Sequence, residues 1–141
     1  MPGQSLDIGA EGRAVRLEEL QTIHRKKTGA LITASVQAGA LLGGAGEQTF
    51  SQLTTYGSAL GLAFQIKDDL LNVEGTTEEL GKAAGSDAER MKATYPGLLG
   101  LQATREKLAS AVNTAVAAVK NLGPNAEPLR NIAHYIITRT R

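Results

Sequence analysis

Two long stretches without charged side chains set the hydrophobic pattern of this sequence. Within residues 28–66 the only charged residue is Glu47, which separates an uncharged run at 28–46 from another at 48–66. Helices that lack charge on every side usually lie inside a helical bundle, and we expect the same here. A pair of membrane spans is the alternative, because each run is nearly long enough to cross a bilayer. The Gly, Thr, Ser and Gln residues in both runs argue against that alternative.

A helical hairpin is predicted over residues 17–73. Apolar residues recur at helical spacing through the first part of this range, and Gly43 with Gly44 marks the end of its first helix. The second helix is predicted to begin near Glu47 and to run to the end of the range. Residues 1–16 lack sustained periodicity and are expected to form a frayed helix remnant and a loop.

The remainder of the chain is predicted to be a loop followed by two helices. Residues 74–95 are rich in Gly, Thr and charge, and long loops of this kind often carry function. Over residues 96–141, one helix starting near Thr94 and Pro96 is expected to stop at Gly123, with a last helix after Pro128. The apolar positions predicted to face inward are Leu101, Leu108, Val112, Ala115, Val119 and Leu122, then Leu129, Ile132, Ala133 and Ile136, with Arg130, Arg139 and Arg141 facing outward. No strand pattern competes, so residues 1–141 are predicted to form one all-α domain, a helical bundle.

Charge and cysteine content narrow the function classes. The 141 residues include 15 Lys and Arg against 14 Asp and Glu, a net charge of +1, and no Cys. A net charge this small gives no strong electrostatic attraction to nucleic acid or to an anionic membrane surface. The lack of Cys excludes disulfides and thiolate metal sites. No secretory signal opens the sequence, so a cytoplasmic location is expected.

The predicted hairpin brings two polar clusters together. Because a hairpin reverses direction, the start of its first helix and the end of its second lie at the same end of the bundle. Lys27 and Thr28 open the first uncharged run, while Gln65, Asp68 and Asp69 close the second. The sequence therefore predicts a polar site at this end.

Two adjacent carboxylates are the chemically most informative residues of that site. Asp68 and Asp69 share one helical face with Gln65 and Asn72. Carboxylate and amide oxygens suit Mg²⁺, which completes its coordination with water and substrate phosphate oxygens. The alternative is a solvated helix end at which Lys67 screens two surface carboxylates.

Lysine and histidine residues offer further candidates. Lys82 and Lys92 lie in the glycine-rich segment after the carboxylates, and an ammonium group suits phosphate. They are otherwise solubilising loop charges. His24 and His134 lack partners at metal-ligand spacing and are expected to be surface or packing residues.

Several motifs resemble those of one known family in both their residues and their order. Residues Gly61–Asn72 resemble the second Asp-rich motif of the trans-isoprenyl diphosphate synthases, the polyprenyl synthetase family. Gly3–Asp7, His24–Gly29, Leu80–Pro96 and Ala133–Arg139 resemble further elements of that family in the same order. The sequences of these motifs are most similar to those of bacterial farnesyl and geranylgeranyl diphosphate synthases.

The resemblance implies an isoprenoid synthase fold and a prenyltransferase reaction. In this family isopentenyl diphosphate condenses head to tail with an allylic diphosphate. The implied roles are Mg²⁺ binding by Asp68 and Asp69, diphosphate binding by Lys27, Gln65, Lys82 and Lys92, and catalytic contacts to the reacting allylic group by Lys27, Thr28 and Gln65. Asn72 departs from the family pattern, since it stands at the third acidic position.

The resemblance covers only the C-terminal half of the family. The first Asp-rich motif is absent from this sequence, so we expect a fragment that is inactive without the N-terminal half. The expected partners are that half or a full-length synthase. An uncovered apolar face is expected to give a dimer or larger homo-oligomer, or otherwise an unstable monomer. The alternative function is a non-catalytic helical subunit that pairs with a full-length synthase.

Overall fold

The described part of the protein is helical throughout. The computed structural model describes residues 13–78 and 94–140, and no strand occurs in these two ranges. The α-helices are α1 (Arg13–Leu42), α2 (Glu47–Glu78), α3 (Tyr95–Leu99), α4 (Leu101–Ala118) and α5 (Glu127–Thr138), with 3₁₀ turns at Lys120–Leu122 and Pro124–Ala126. The all-α prediction is confirmed.

Helices α1 and α2 form an antiparallel hairpin with a very close crossing. A Cβ atom built on Gly57 would lie 3.1 Å from the Cα atom of Thr33, and one built on Gly61 would lie 3.1 Å from the Cα atom of Gly29. Only glycine lets the two backbones approach this far without a steric clash. The turn between the helices includes Gly44, whose φ of 74° suits glycine.

Helix α2 is the central element, because it packs against α1 on one side and α4 on the other. The expectation of an interior helix therefore holds for α2. Its buried side chains meet those of α4 and α5 in one hydrophobic core. The core residues with the least exposure are Tyr56, Ala63, Ile66, Leu70, Val112, Ala115, Val119 and Ala133.

Helix α1, by contrast, keeps an apolar side in contact with solvent. Leu31 is 63% exposed, and Leu41, Leu42 and Ala34 are exposed too. In the described ranges no helix is both long enough and apolar enough to cross a membrane. The outward side of α1 is therefore an uncovered helix face.

Two helix boundaries differ from those predicted. Helix α2 continues through Glu78, so the predicted loop at 74–95 begins too early. The predicted single helix from Pro96 is divided at Gly100, whose φ is 86°. The Thr94 hydroxyl caps the short helix α3 by accepting a hydrogen bond from the backbone N–H of Gly97. Leu101, at the start of α4, is exposed instead of inward-facing.

Three side chains of the last helix are also oriented differently from the prediction. Ile132 is exposed, since it lies at the edge of the buried face formed by Ala133 and Ile136. The predicted outward orientation of Arg130 and Arg139 is wrong. Arg130 is mostly buried and donates hydrogen bonds to the carbonyl oxygens of Val119, Lys120 and Gly123, which follow the C-terminus of α4, where a cation is favourable. Arg139 turns towards α2 and lies in the candidate site.

The buried phenol of Tyr56 makes the stability of the fold depend on pH in the alkaline range. Its hydroxyl donates a 2.8 Å hydrogen bond to the carbonyl oxygen of Leu129, and burial raises its pKa to about 12 from an ordinary 10. The folded protein thus holds this proton more tightly than the unfolded chain. The stabilisation is complete below pH 10 and is lost as the pH rises to about 12, a loss of about 2–3 kcal/mol.

Urea unfolding across pH 8 to 12 checks this expectation. We expect Tyr56→Phe to lower stability by about 1 kcal/mol at pH 8, because the carbonyl of Leu129 loses a donor. The same variant should show a smaller further loss above pH 10. Tyr135→Phe is the matched control, since Tyr135 is exposed. Identical alkaline profiles for all three proteins would contradict the assignment.

Candidate functional site

The hairpin brings the part of α1 that precedes Lys27 alongside the carboxylates of α2. An ion pair joins Arg25 of α1 to Asp69 of α2, with 2.8 Å between Nη2 and Oδ2. Lys27 follows Arg25 by two residues and is exposed. Thr28 and Gln65 are half-buried. The structure therefore brings Arg25, two residues before Lys27, to Asp69, at a level within α1 and not at its start, since α1 begins at Arg13.

Asp69 lies in a nearly closed environment at this junction. The residue is 6% exposed. Its Oδ2 atom accepts a hydrogen bond from Arg25 and a second one, 3.0 Å long, from the backbone N–H of Tyr95. The Arg25 guanidinium also lies 5.4 Å from the centre of the Tyr95 ring, a distance at which cation and ring attract. These contacts join α1, α2 and α3.

Burial controls the protonation of Asp69. Desolvation raises the pKa of its carboxyl above the ordinary value, and the neighbouring charge of Asp68 adds to that rise. The Tyr95 N–H and the Arg25 guanidinium act in the opposite direction without cancelling the rise. Burial thus favours the neutral carboxyl, whereas the Tyr95 N–H and the Arg25 guanidinium favour the carboxylate.

Asp68 occupies a different and more open environment. Its side chain is 40% exposed, and its Oδ1 atom accepts a 2.6 Å hydrogen bond from Arg139. The Arg139 guanidinium lies 4.5 Å from the Phe64 ring centre and donates to the Phe64 carbonyl oxygen. Sequence reasoning missed Arg139 because α5 ends at Thr138, and helical periodicity cannot orient a residue beyond the helix.

The alternative of a solvated helix end does not fit the structure. Helix α2 continues well past both carboxylates, to Glu78, and Asp69 is buried. Lys67, which would have screened the two charges, donates its hydrogen bond to the carbonyl oxygen of Ile137 over 2.7 Å. The two carboxylates instead pair with arginines from α1 and from the residue after α5.

Some predicted site residues fall outside the part of the chain that the structure describes. These are Lys82, Lys92, the segment at residues 3–7 and the side chain of His24. His134 is exposed, in agreement with the expected surface role. Among the side chains that the structure describes, no three His, Asp or Glu residues converge as a metal-binding group.

Comparison with known proteins assigns the family. Residues 1–124 match the sequence model for polyprenyl synthetases. The chain belongs to the polyprenyl synthetase family. This polyprenyl synthetase chain is 43% identical over 137 residues to the farnesyl diphosphate synthase of Geobacillus stearothermophilus, covering 97% of the chain and 46% of that relative. It is 44% identical to the farnesyl diphosphate synthase of Escherichia coli, covering 99% of the chain and 48% of that relative.

A solved structure supports the same assignment. A putative farnesyl-diphosphate synthase from a Marinomonas species superposes with a TM-score of 0.66 and 34% sequence identity. The match covers 96% of this polyprenyl synthetase chain and 45% of the other protein. The helices therefore adopt part of the all-α isoprenoid synthase fold, as the sequence resemblance implied. The chain spans about half the length of the relatives it matches.

Proposed function

We propose that this chain contributes the second Asp-rich half of a prenyltransferase active site. The reaction is the head-to-tail condensation of isopentenyl diphosphate with an allylic diphosphate, as in a farnesyl or geranylgeranyl diphosphate synthase. The observation that carries the proposal is the partly open carboxylate of Asp68, next in sequence to Asp69, whose partner Arg25 lies two residues before the exposed Lys27. Matches to relatives named farnesyl diphosphate synthase support it.

The chemistry of these groups fits Mg²⁺ and a diphosphate. Mg²⁺ is commonly held by one or two carboxylates together with water and substrate phosphate oxygens, so it needs no larger protein cluster. In this proposal Asp68 and Asp69 would hold the ion, which would supply positive charge against the departing diphosphate. Lys27 adds an ammonium to the phosphates, and Thr28 and Gln65 line the neighbouring wall. Lys82 and Lys92 are proposed as further phosphate ligands from their place in the sequence motif.

A second candidate is a non-catalytic helical subunit that pairs with a full-length synthase. The exposed apolar side of α1 favours it, because a face of this kind is usually covered by another protein surface. In that case Asp68 would be dispensable for the activity of the complex.

Turnover measurements distinguish the two candidates. The chain is assayed with isopentenyl and geranyl diphosphates and Mg²⁺, alone and after co-expression with the N-terminal half of the Escherichia coli relative. The prenyltransferase proposal expects turnover that requires both halves and is lost in Asp68→Ala. Activity that requires the chain but is unchanged by this substitution supports the non-catalytic subunit.

Self-association is the expected consequence of the uncovered α1 face. We propose that the isolated chain forms a dimer or larger homo-oligomer in sedimentation experiments, because apolar surface leaves water on association. Leu31→Glu should shift the distribution towards monomer. Leu98→Glu is the matched control, since Leu98 is 70% exposed but lies on α3. A wild-type chain that sediments as a stable monomer contradicts this proposal.

A further inference from the structure

We propose that Arg139 is a built-in cation at the candidate site and must leave Asp68 when a divalent cation binds there. The inference rests on the proposed function and goes beyond it, since it gives the metal-free chain its own positive charge at this carboxylate. It also couples loading of the site to release of the chain after Thr138, the last residue of α5.

Arg139 is buried more deeply than its carboxylate partner. Its side chain is 9% exposed, against 40% for Asp68. Its Nη2 atom donates to Asp68 Oδ1 over 2.6 Å and to the carbonyl oxygen of Phe64 over 3.3 Å, with the guanidinium 4.5 Å from the Phe64 ring centre. A cation removed from water to this extent needs an anion beside it. The pair is therefore a specific contact and not a loose surface ion pair.

Each of the two adjacent carboxylates has its own arginine. Asp69 pairs with Arg25 of α1, and Asp68 pairs with Arg139 beyond α5. Neighbouring carboxylates repel one another, so cations beside them favour their charged forms. The two arginines thus supply, in the folded chain itself, positive charge of the kind that a bound metal ion would bring.

A divalent cation and the guanidinium compete for Asp68. Mg²⁺ prefers carboxylate oxygens, and the hydrogen bond from Arg139 already occupies Oδ1. Two cations held by one carboxylate also repel each other strongly at such short range. Departure of Arg139 removes both obstacles.

The anchoring of α5 limits which part of the chain has to move. Ala133 and Ile136 are buried in the core, and Lys67 donates a 2.7 Å hydrogen bond to the carbonyl oxygen of Ile137. The backbone of Arg139 is extended, with a ψ of 149°, so the chain has already left the helix at this residue. Its side chain can therefore leave Asp68 without a change in α5.

Calorimetry tests the direction of the competition. Titrations with inorganic pyrophosphate at a series of Mg²⁺ concentrations give the Mg²⁺ concentration needed for half-maximal binding to the full chain. Arg139→Gln should lower that concentration about fivefold or more, because the competing charge is gone. Arg139→Lys should stay near the wild-type value, since it keeps the charge. Arg105→Gln is the matched control: it removes the same charge from an exposed ion pair with Glu74 of α2 and should change the value less than about twofold.

Nuclear magnetic resonance follows the departure of Arg139 in the wild-type chain. The Nε atom of Arg139 is buried, so its N–H group should give a resolved signal in a ¹H–¹⁵N spectrum. The signal that is missing in Arg139→Lys identifies it. We expect this signal to shift to the position of a solvent-exposed arginine when Mg²⁺ and pyrophosphate saturate the chain. The signal of Arg130, which is also mostly buried, should stay in place.

The outcomes separate this inference from the proposed function. If the wild type binds pyrophosphate with Mg²⁺ but Arg139→Gln needs as much Mg²⁺ or more, the inference is wrong and the proposed function stands. An Arg139 signal that is unchanged at saturation also overturns the inference. If neither the wild type nor Arg139→Gln shows Mg²⁺-dependent binding, the proposed function fails and the inference fails with it.

Discussion

Replacing Asp68 with asparagine is expected to lower turnover of the assembled two-half enzyme by about 10²–10³-fold. Asparagine keeps the size of the side chain and one acceptor oxygen but removes the negative charge. The metal ion would then be held less well, and the negative charge on the departing diphosphate would lack its main compensation. The fold should change little, because the side chain is 40% exposed.

Initial rates over a range of Mg²⁺ concentrations provide the measurement. Glu74→Gln is the matched control, since Glu74 lies on the same helix and its exposed ion pair with Arg105 is 3.4 Å long. This control should retain nearly full turnover, as exposed ion pairs contribute little. Excess Mg²⁺ should restore part of the activity of Asp68→Asn. Equal rates for both variants would show that Asp68 has no part in the chemistry.

Replacing Gly61 with valine is expected to destabilise the fold by about 3 kcal/mol. A Cβ atom at this position would lie 3.1 Å from the Cα atom of Gly29, and the γ-carbons of valine reach further. Because a backbone cannot move aside as a flexible side chain can, α1 and α2 must separate. Valine has a better helix propensity than glycine, so the loss comes from the helix contact.

Urea unfolding followed by circular dichroism measures this loss. Gly39→Val is the matched control, because Gly39 lies in α1 and a Cβ atom there has nothing within 4 Å. We expect the control to be neutral or slightly stabilising. A similar loss for both variants would mean that valine itself, and not the close crossing, is responsible.

The sequence predicts both the hairpin and the approach of its two polar segments. Two uncharged runs separated by Gly43 and Gly44 can be buried only if the chain turns back on itself. Once it does so, the segment around Lys27 and the Asp68–Asp69 pair come alongside each other, as the contact between Arg25 and Asp69 shows. Local pattern and chain reversal therefore suffice for this part of the site.

The partners of the two carboxylates depend on packing that the pattern does not contain. Tyr95 lies 26 residues beyond Asp69, and it offers a backbone N–H, which carries no side-chain signal. Arg139 lies 71 residues beyond Asp68 and follows the last helical residue of α5, so its direction is set by the chain leaving the helix. Both partners can be identified only from the folded structure.

The misplaced end of α2 has a similar cause. Gly75, Thr76 and Thr77 are poor helix formers, which makes a loop the natural expectation after Glu74. The buried side chain of Val73 supports the helix at this point. Tertiary contacts thus outweigh weak local preferences.

The most direct test of the account is the position of a divalent ion. Crystals of the chain grown with Mn²⁺ and pyrophosphate would locate the metal through its anomalous scattering. The account predicts a peak within about 2.5 Å of an Asp68 oxygen, with the pyrophosphate between the ion and Lys27. Manganese bound away from the end of the hairpin, or pyrophosphate bound without Asp68 and Lys27, would contradict it.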